Sequence, residues 1–185
     1  MTFLTPEQAS GTRFEIWVEE LLKDNGYWGV RRNVEYHQQR YVFRQVDVEY
    51  QDLNVLNPLV LLNSLVILEL KYSIHGRVNS SLQQEKKKSG QLLPRIDTIV
   101  NELEERRKFV NARKAILTTN GHFSDEVHRE VQQYRNIELW EKEQLNQLDK
   151  RRRGLMDYLF PKIPLDKVGD IDLSSYGLNS KKEKV

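Results

Sequence analysis

A chain of 185 residues that is 38% hydrophobic and 30% charged has room for one real core and the make-up of a soluble globular protein, which excludes a disordered or membrane-embedded polypeptide. Its formal net charge of +2 and pI of about 8.7 leave any nucleic-acid footprint to local patches and not to bulk charge. It has no cysteine, so disulfides and thiolate zinc sites are excluded, and a reducing cytoplasm is the natural compartment.

The N-terminus, MTFLTPEQAS, lacks the basic start and apolar run of a signal peptide. The chain proper opens at Thr5-Pro6-Glu7-Gln8, with a hydroxyl cap, proline at the first helical position and Gln at the capping-box position. Phe14, Trp17, Val18, Leu21 and Leu22 then follow the spacing of one buried helical stripe, and Asn25-Gly26 ends it. Strands are predicted at Val30 to Tyr36, and from Tyr41-Val42-Phe43 into Val46 to Tyr50. In the latter Val46, Val48 and Tyr50 alternate with Asp47 and Glu49, so each set is expected on one face. The stretch Leu53 to Leu68 is the most apolar of the chain. Asn54, Asn57, Pro58 and Asn63 interrupt it, and it is shorter than the ~20 residues of a membrane span. Leu61 to Tyr72 therefore reads as a central strand covered on both faces, and no membrane partner is expected.

A polar segment with Lys86-Lys87-Lys88 leads to a helix around Ile96, Ile99, Val100 and Leu103. Its exposed side is expected to carry Glu102, Glu104, Glu105, Arg106, Arg107 and Lys108. Ala115 to Thr119 is a short buried strand, and Ser124-Asp125-Glu126 starts a helix with Val127, Val131 and Tyr134 inward. Ile137 to Trp140 is a further strand and Glu141 to Lys150 a last helix. The fold class is α/β, a central mixed sheet flanked by helices, in a single domain over residues 1–160. From Pro161 to the end, residues 161–185, periodicity is lost and a loosely packed or disordered tail is expected.

Within this frame one constellation carries chemistry. Glu69 and Lys71 project from the same face of the central strand, Leu70 points the other way, and Asp47 lies on a neighbouring strand. Asp47, Glu69 and the backbone carbonyl of Leu70 form an oxygen donor set suited to Mg2+ or Mn2+. Beside them Lys71 would position a water and neutralise phosphate charge, which makes a coherent phosphodiesterase site. The same spacing is also that of a solvated ion pair at a strand end. Glu85-Lys86-Lys87 repeats it in a polar stretch with no strand to hold it.

Several ordered segments resemble the PD-(D/E)xK nuclease superfamily, and most nearly the catalytic domains of Mrr-type restriction endonucleases. They are Gly11-Thr12-Arg13-Phe14-Glu15 through Gly26-Tyr27, Val46-Asp47-Val48, Val66 to Tyr72, Ile116 to Ser124, and Ile137 to Trp140 with Glu143-Gln144-Leu145. The resemblance implies a restriction-endonuclease-like core and an endonuclease that hydrolyses DNA phosphodiester bonds with Mg2+ or Mn2+. It adds Glu15 as a catalytic helix-one glutamate supporting the cation, although Thr12 to Glu15 also spells a capping box. It adds Gln84, or Gln83, near the scissile phosphate. A homodimer is a further implied partner, because nucleases of this fold often pair so that both strands are cut. The pattern departs from the family at Arg44-Gln45, where a small pair usually precedes the aspartate. That keeps open a junction-resolvase-like nuclease and a non-catalytic nucleic-acid-binding module.

Lys86, Lys87 and Lys88, and the run Lys150-Arg151-Arg152-Arg153, are candidate phosphate contacts; Arg31, Arg32 and Arg40 are weaker ones. Glu49 is expected to be a solvated strand residue. His37, His75, His122 and His128 show no metal-ligand spacing.

Overall fold

The computed structural model describes residues 3–38, 42–52, 64–80, 98–152 and 162–180. In order, these form β1 (Phe3–Leu4), α1 (Pro6–Asp24), β2 (Trp28–Gln38), β3 (Val42–Gln51), β4 (Leu65–Lys71) and β5 (Arg77–Val78). There follow α2 (Ile99–Phe109), β6 (Lys114–Thr119), β7 (His122–Phe123), α3 (Asp125–Val131), β8 (Ile137–Trp140) and α4 (Lys142–Arg152). Two 3-10 helices, Leu165–Asp170 and Leu173–Tyr176, and β9 (Asn179–Ser180) complete the described chain.

Among the described residues the main sheet has five strands in the order β2-β3-β4-β6-β8. Neighbours are antiparallel from β2 to β4 and parallel from β4 through β6 to β8. It is the expected mixed sheet flanked by helices. The parallel strands explain why β4 is apolar on both faces: Leu68 packs towards α1 and Ile67 towards α2.

Helix α1 begins where its capping box stands. Thr5 Oγ1 accepts from the Gln8 N–H at 3.3 Å, and the Gln8 side chain accepts from the Thr5 N–H at 2.9 Å. The alternative box at Thr12 and Glu15 therefore lies inside the helix, which frees Glu15 from a capping role. Phe14, Trp17, Val18, Leu21 and Leu22 are fully buried against Val48, Tyr50, Val66, Leu68 and Ile116. On the opposite face Ile99, Val100 and Leu103 of α2 and Val127 of α3 cover Ile67, Ala115, Leu117 and Ile137. No described helix is long and apolar enough to cross a membrane.

The expected loose tail is not what residues 162–180 form. Leu165, Val168, Ile171 and Leu173 are buried in the α1 cluster. Trp17 Nε1 donates to the Ile163 carbonyl at 2.7 Å and Arg13 Nε to that of Ile171 at 3.0 Å. β9 then pairs with β1. Short 3-10 turns set these apolar side chains at irregular intervals, so neither a 3.6 nor a 2.0 period appears in the sequence. The interrupted apolar stretch 53–63, Tyr41, and residues 153–161 and 181–185 lie outside the described residues.

Candidate active site

The site forms where the sheet stops being regular. β3 pairs with β4 from Gln51↔Leu65 to Val48↔Leu68, and there the ladder ends. β4 continues along β6 alone, with Glu69 opposite Leu117 and Lys71 opposite Thr119. On the other side β2 pairs Arg32 with Val48 and Val34 with Val46, leaving Asn33 and Asp47 as an unpaired step. Asn33 sits there in the left-handed region, at φ 53°. The irregularity inverts the side-chain alternation. Val48 and Tyr50 pack in the α1 cluster, whereas Val46 belongs to the α2 cluster, so the expected single face for all three does not hold.

Asp47 uses that break. Its Oδ2 accepts the backbone N–H of Leu70 at 2.8 Å, a donor that a continued ladder would have given to a β3 carbonyl. In an extended strand the N–H and C=O of one residue face the same edge, so the Leu70 carbonyl is turned towards β3 as well. Glu69, on the same strand, is buried. Its Oε1 receives Lys71 Nζ at 2.8 Å and its Oε2 receives Arg106 Nη1 of α2. Asp47, Glu69, Leu70 and Lys71 thus lie together at one end of β4. Burial pushes the Asp47 carboxyl above its ordinary value, against the Leu70 N–H, Arg106 and Lys71, which favour the anion.

Glu15 joins from α1. Burial, and then the nearby Asp47 charge, raise its pKa from 4.5 to about 7, against Arg32. Arg32 reaches Glu15 Oε2 at 3.7 Å and Glu19 Oε2 at 3.1 Å, so this arginine is engaged on α1 and not turned outward to phosphate. In the amide orientation that satisfies both of its ends, Asn33 also donates to Glu15 Oε2 at 3.3 Å.

Two side chains escaped the sequence reading. Arg106 is not on the solvated face of α2; its side chain is 13% exposed. Glu104 and Arg107 are also largely covered, and they pair with one another. The signal for Arg106 was present: Ile99, Leu103 and Arg106 follow the i, i+4, i+7 stripe that faces the sheet. Asn120 is the second. Its side chain clasps the Ser73 backbone from both sides, accepting from the N–H at 2.7 Å and donating to the carbonyl at 3.1 Å, and so fixes the chain just beyond Lys71.

Other candidates fall elsewhere. Glu49 is buried, not solvated, with Arg31 and the Tyr36 hydroxyl both donating to it, and so is occupied away from Asp47. Burial, and then the hydrogen bond to Glu49, raise the Tyr36 pKa well above the usual phenol range. Arg151 lines a cavity with Tyr27, Trp28 and Asp52, at the end of β3 and β4 remote from Glu69. Gln83, Gln84, Lys86, Lys87, Lys88 and Arg40 lie outside the described residues. Separately, His122, Glu141 and Glu143 bring three ligand-type atoms within 4.8 Å of one another at the β7–α4 corner. Their sequence spacing gave no sign of it. Glu141 is already held there by the Phe123 N–H at 2.6 Å and by His128 at 3.3 Å.

Comparison with known proteins bears on these elements. Residues 87–148 match the family model described as restriction endonuclease. The matched span holds α2, β6, α3, β8 and the start of α4, and with them Arg106 and Asn120, while Asp47, Glu69 and Lys71 precede it. No curated protein matches the chain. The crystal structure of a protein of unknown function, AF1548, aligns with a TM-score of 0.51 at 16% identity over 75% of this chain. The aligned part is 66% of that protein, just under two thirds of its length, and the likeness concerns the fold alone. Residues 87–148 are thus similar to restriction endonucleases, and the mixed five-stranded sheet they complete is compatible with the restriction-endonuclease-like fold.

Proposed function

We propose that the chain is a metal-dependent endonuclease that hydrolyses DNA phosphodiester bonds, with Asp47, Glu69 and Lys71 as its catalytic trio. The observation that carries this reading is the splay of β3 from β4, which lets the Asp47 carboxylate reach the Leu70 N–H at 2.8 Å beside the Glu69–Lys71 pair. A solvated ion pair at a strand end would not bury Glu69, nor recruit a carboxylate from another strand and a cation from a helix.

The residues fit a divalent cation. Asp47, Glu69 and the Leu70 carbonyl offer only oxygen, as Mg2+ and Mn2+ prefer, and the carboxylates already draw Lys71 and Arg106 to themselves. A cation held there would supply a lowered pKa for a water and would offset charge on the phosphate during an in-line displacement. Lys71 Nζ, anchored on Glu69, would hold that water and face a phosphate oxygen. Glu15, with its pKa near neutrality, holds a proton next to Asp47 until the local negative charge is relieved. A two-fold pair of chains would present one such site to each strand of a duplex.

The test pairs calorimetric titration of Mg2+ or Mn2+ with cleavage of linear, circular, single-stranded and branched DNA. Asp47→Asn and Glu69→Gln should lose both metal binding and cleavage. Lys71→Ala should keep the metal and lose cleavage, and Glu15→Gln should lose part of the rate. The Asn at 47 still accepts the Leu70 N–H, so the fold should persist. Cleavage by Asp47→Asn and Glu69→Gln at the parent rate would place the site elsewhere. Preference for branched substrates would favour a junction-resolving enzyme, and binding without cutting a non-catalytic module.

A further inference from the structure

Among the described residues, Arg106 is a cation in contact with the site that neither the trio nor Glu15 accounts for. Its guanidinium spans α2 and β4: Nη1 donates to Glu69 Oε2, and Nη2 donates to Glu102 Oε1 at 3.3 Å. Its Nε–H is buried and meets no acceptor among the described residues. A guanidinium has five N–H donors in a fixed fork, and leaving one of them buried and unsatisfied is costly. The donor remains because Arg106 stands on the core stripe of α2, where Leu103 and the sheet beneath it exclude water. Arg44 of β3 adds a second positive charge to the neighbourhood, stacked over the Phe109 ring at 5.9 Å to its centroid. Arg44 and Arg106 concentrate positive charge there, and the planar fork of a guanidinium matches a phosphate better than a lysine does.

Glu69 cannot serve two partners equally well. The carboxylate that Arg106 holds is one that the proposed cation would use. Once a divalent ion neutralises Glu69, the attraction that draws Arg106 onto it falls. The side chain then has Nη1 free, and Nη1 shares an edge of the guanidinium with Nη2, whose bond to the exposed Glu102 is long at 3.3 Å; that edge is a bidentate arrangement for two phosphate oxygens.

We infer that Arg106 is a phosphate-binding catalytic residue, stored on Glu69 in the absence of a divalent cation and handed to a non-bridging oxygen of a nucleic-acid phosphodiester when that cation binds. The inference rests on the proposed metal site. It goes further in naming a residue outside the trio, the group it contacts, and a dependence of that contact on the ion.

The experiment uses the full-length parent and the variants Arg106→Gln and Arg106→Lys, and reads ion binding, DNA binding and cleavage separately. Mn2+ titration without DNA should show Arg106→Gln binding the ion more tightly, on the order of tenfold, because a competing positive charge has left two carboxylates. Duplex affinity measured across salt concentrations in Ca2+ should give a log–log slope shallower by about one phosphate contact in Arg106→Gln than in the parent. In chelator, where Arg106 stays on Glu69, the two slopes should coincide. Cleavage in Mn2+ should fall about 100- to 1,000-fold in Arg106→Gln, as for loss of one charge-stabilising donor. Arg106→Lys, which keeps the charge without the fork, should regain the salt slope and only part of the rate.

Equal slopes for parent and Arg106→Gln in Ca2+, or cleavage by Arg106→Gln at the parent rate, overturns the inference and leaves the trio standing. Weaker Mn2+ binding by both variants also overturns it, since Arg106 would then serve only to hold Glu69 in place. A parent that neither binds the ion nor cuts DNA removes both this inference and the proposed function.

Discussion

Glu15→Gln separates the chemistry of the site from its contribution to stability, because both depend on one raised pKa. The Glu15 side chain is 21% exposed, stands near Asp47, and titrates at about 7 in the folded chain against 4.5 ordinarily. The folded state therefore binds this proton more tightly than the unfolded state does. Below pH 4.5 both states are protonated and the group contributes nothing to pH dependence. Between 4.5 and about 7 the unfolded chain has released its proton while the folded chain retains it, so stability falls as pH rises. Above that window the full cost of burying a second carboxylate beside Asp47 is present. At about 1.4 kcal/mol per pH unit, the gap gives about 3 kcal/mol, reduced to about 2–3 by the water that reaches the side chain. Glutamine imitates the protonated form at every pH. Urea denaturation in a chelating buffer should find parent and variant alike near pH 4.5 and the variant more stable by about 2–3 kcal/mol at pH 8. Parallel stability curves across that range would refute the assigned burial and the proximity to Asp47.

Three further outcomes follow from the packing around the site. A Cβ at Gly121 would stand 2.2 Å from the Gly76 carbonyl oxygen and 2.5 Å from its carbon, both backbone atoms that cannot swing aside. Gly121→Ala should therefore cost about 2 kcal/mol or more, read as a fall in Tm, and an unchanged Tm would deny the close approach. Asn120→Ala strips both clasps from Ser73; it should cost about 1–3 kcal/mol in denaturant and lower cleavage together with it. Ending the chain at residue 161 removes Leu165, Val168, Ile171 and Leu173 from the α1 core. At about 1.5–3 kcal/mol for each buried side chain, the loss is comparable to the whole stability of a domain, so the shortened chain should not melt cooperatively. A parent-like transition would make 162–180 the dispensable tail that its sequence resembles.

The elements that sequence made legible share a physical reason. α1 declares itself through a five-residue apolar stripe and a capping box, and β4 through an apolar run that only a doubly covered strand tolerates. The Glu69–Lys71 spacing on that strand then places two side chains on one face without further information. Where the reading failed, the deciding contact is long-range. Residues 162–180 are held by Trp17 and Arg13, about 150 positions earlier, through backbone carbonyls whose acceptors are the same for any residue type. Glu49 reads as solvated until Tyr36 and Arg31 are known to stand over it. His122 and Glu141 meet only because β7 and the start of α4 converge.

Asp47 shows why a site can be legible while the geometry that makes it is not. Strict alternation along β3 places Asp47 and Glu49 together and Val46 with Val48, which describes a regular strand. The folded strand is regular on each side of Asp47 and inverted across it, with Asn33 at φ 53° opposite. Asparagine is among the few residue types that accept the left-handed region at small cost, because its short amide can bond locally, and here the amide meets Glu15. The ladder that ends beside Asp47 is replaced by a side-chain bond, from the Leu70 N–H to the Asp47 carboxylate. Breaking the β3–β4 ladder therefore leaves no lost donor at this point, and it opens the gap between strands into which Glu69, Lys71 and Arg106 converge. A perfectly alternating strand at this position would bury the same apolar residues and would have no room for the site.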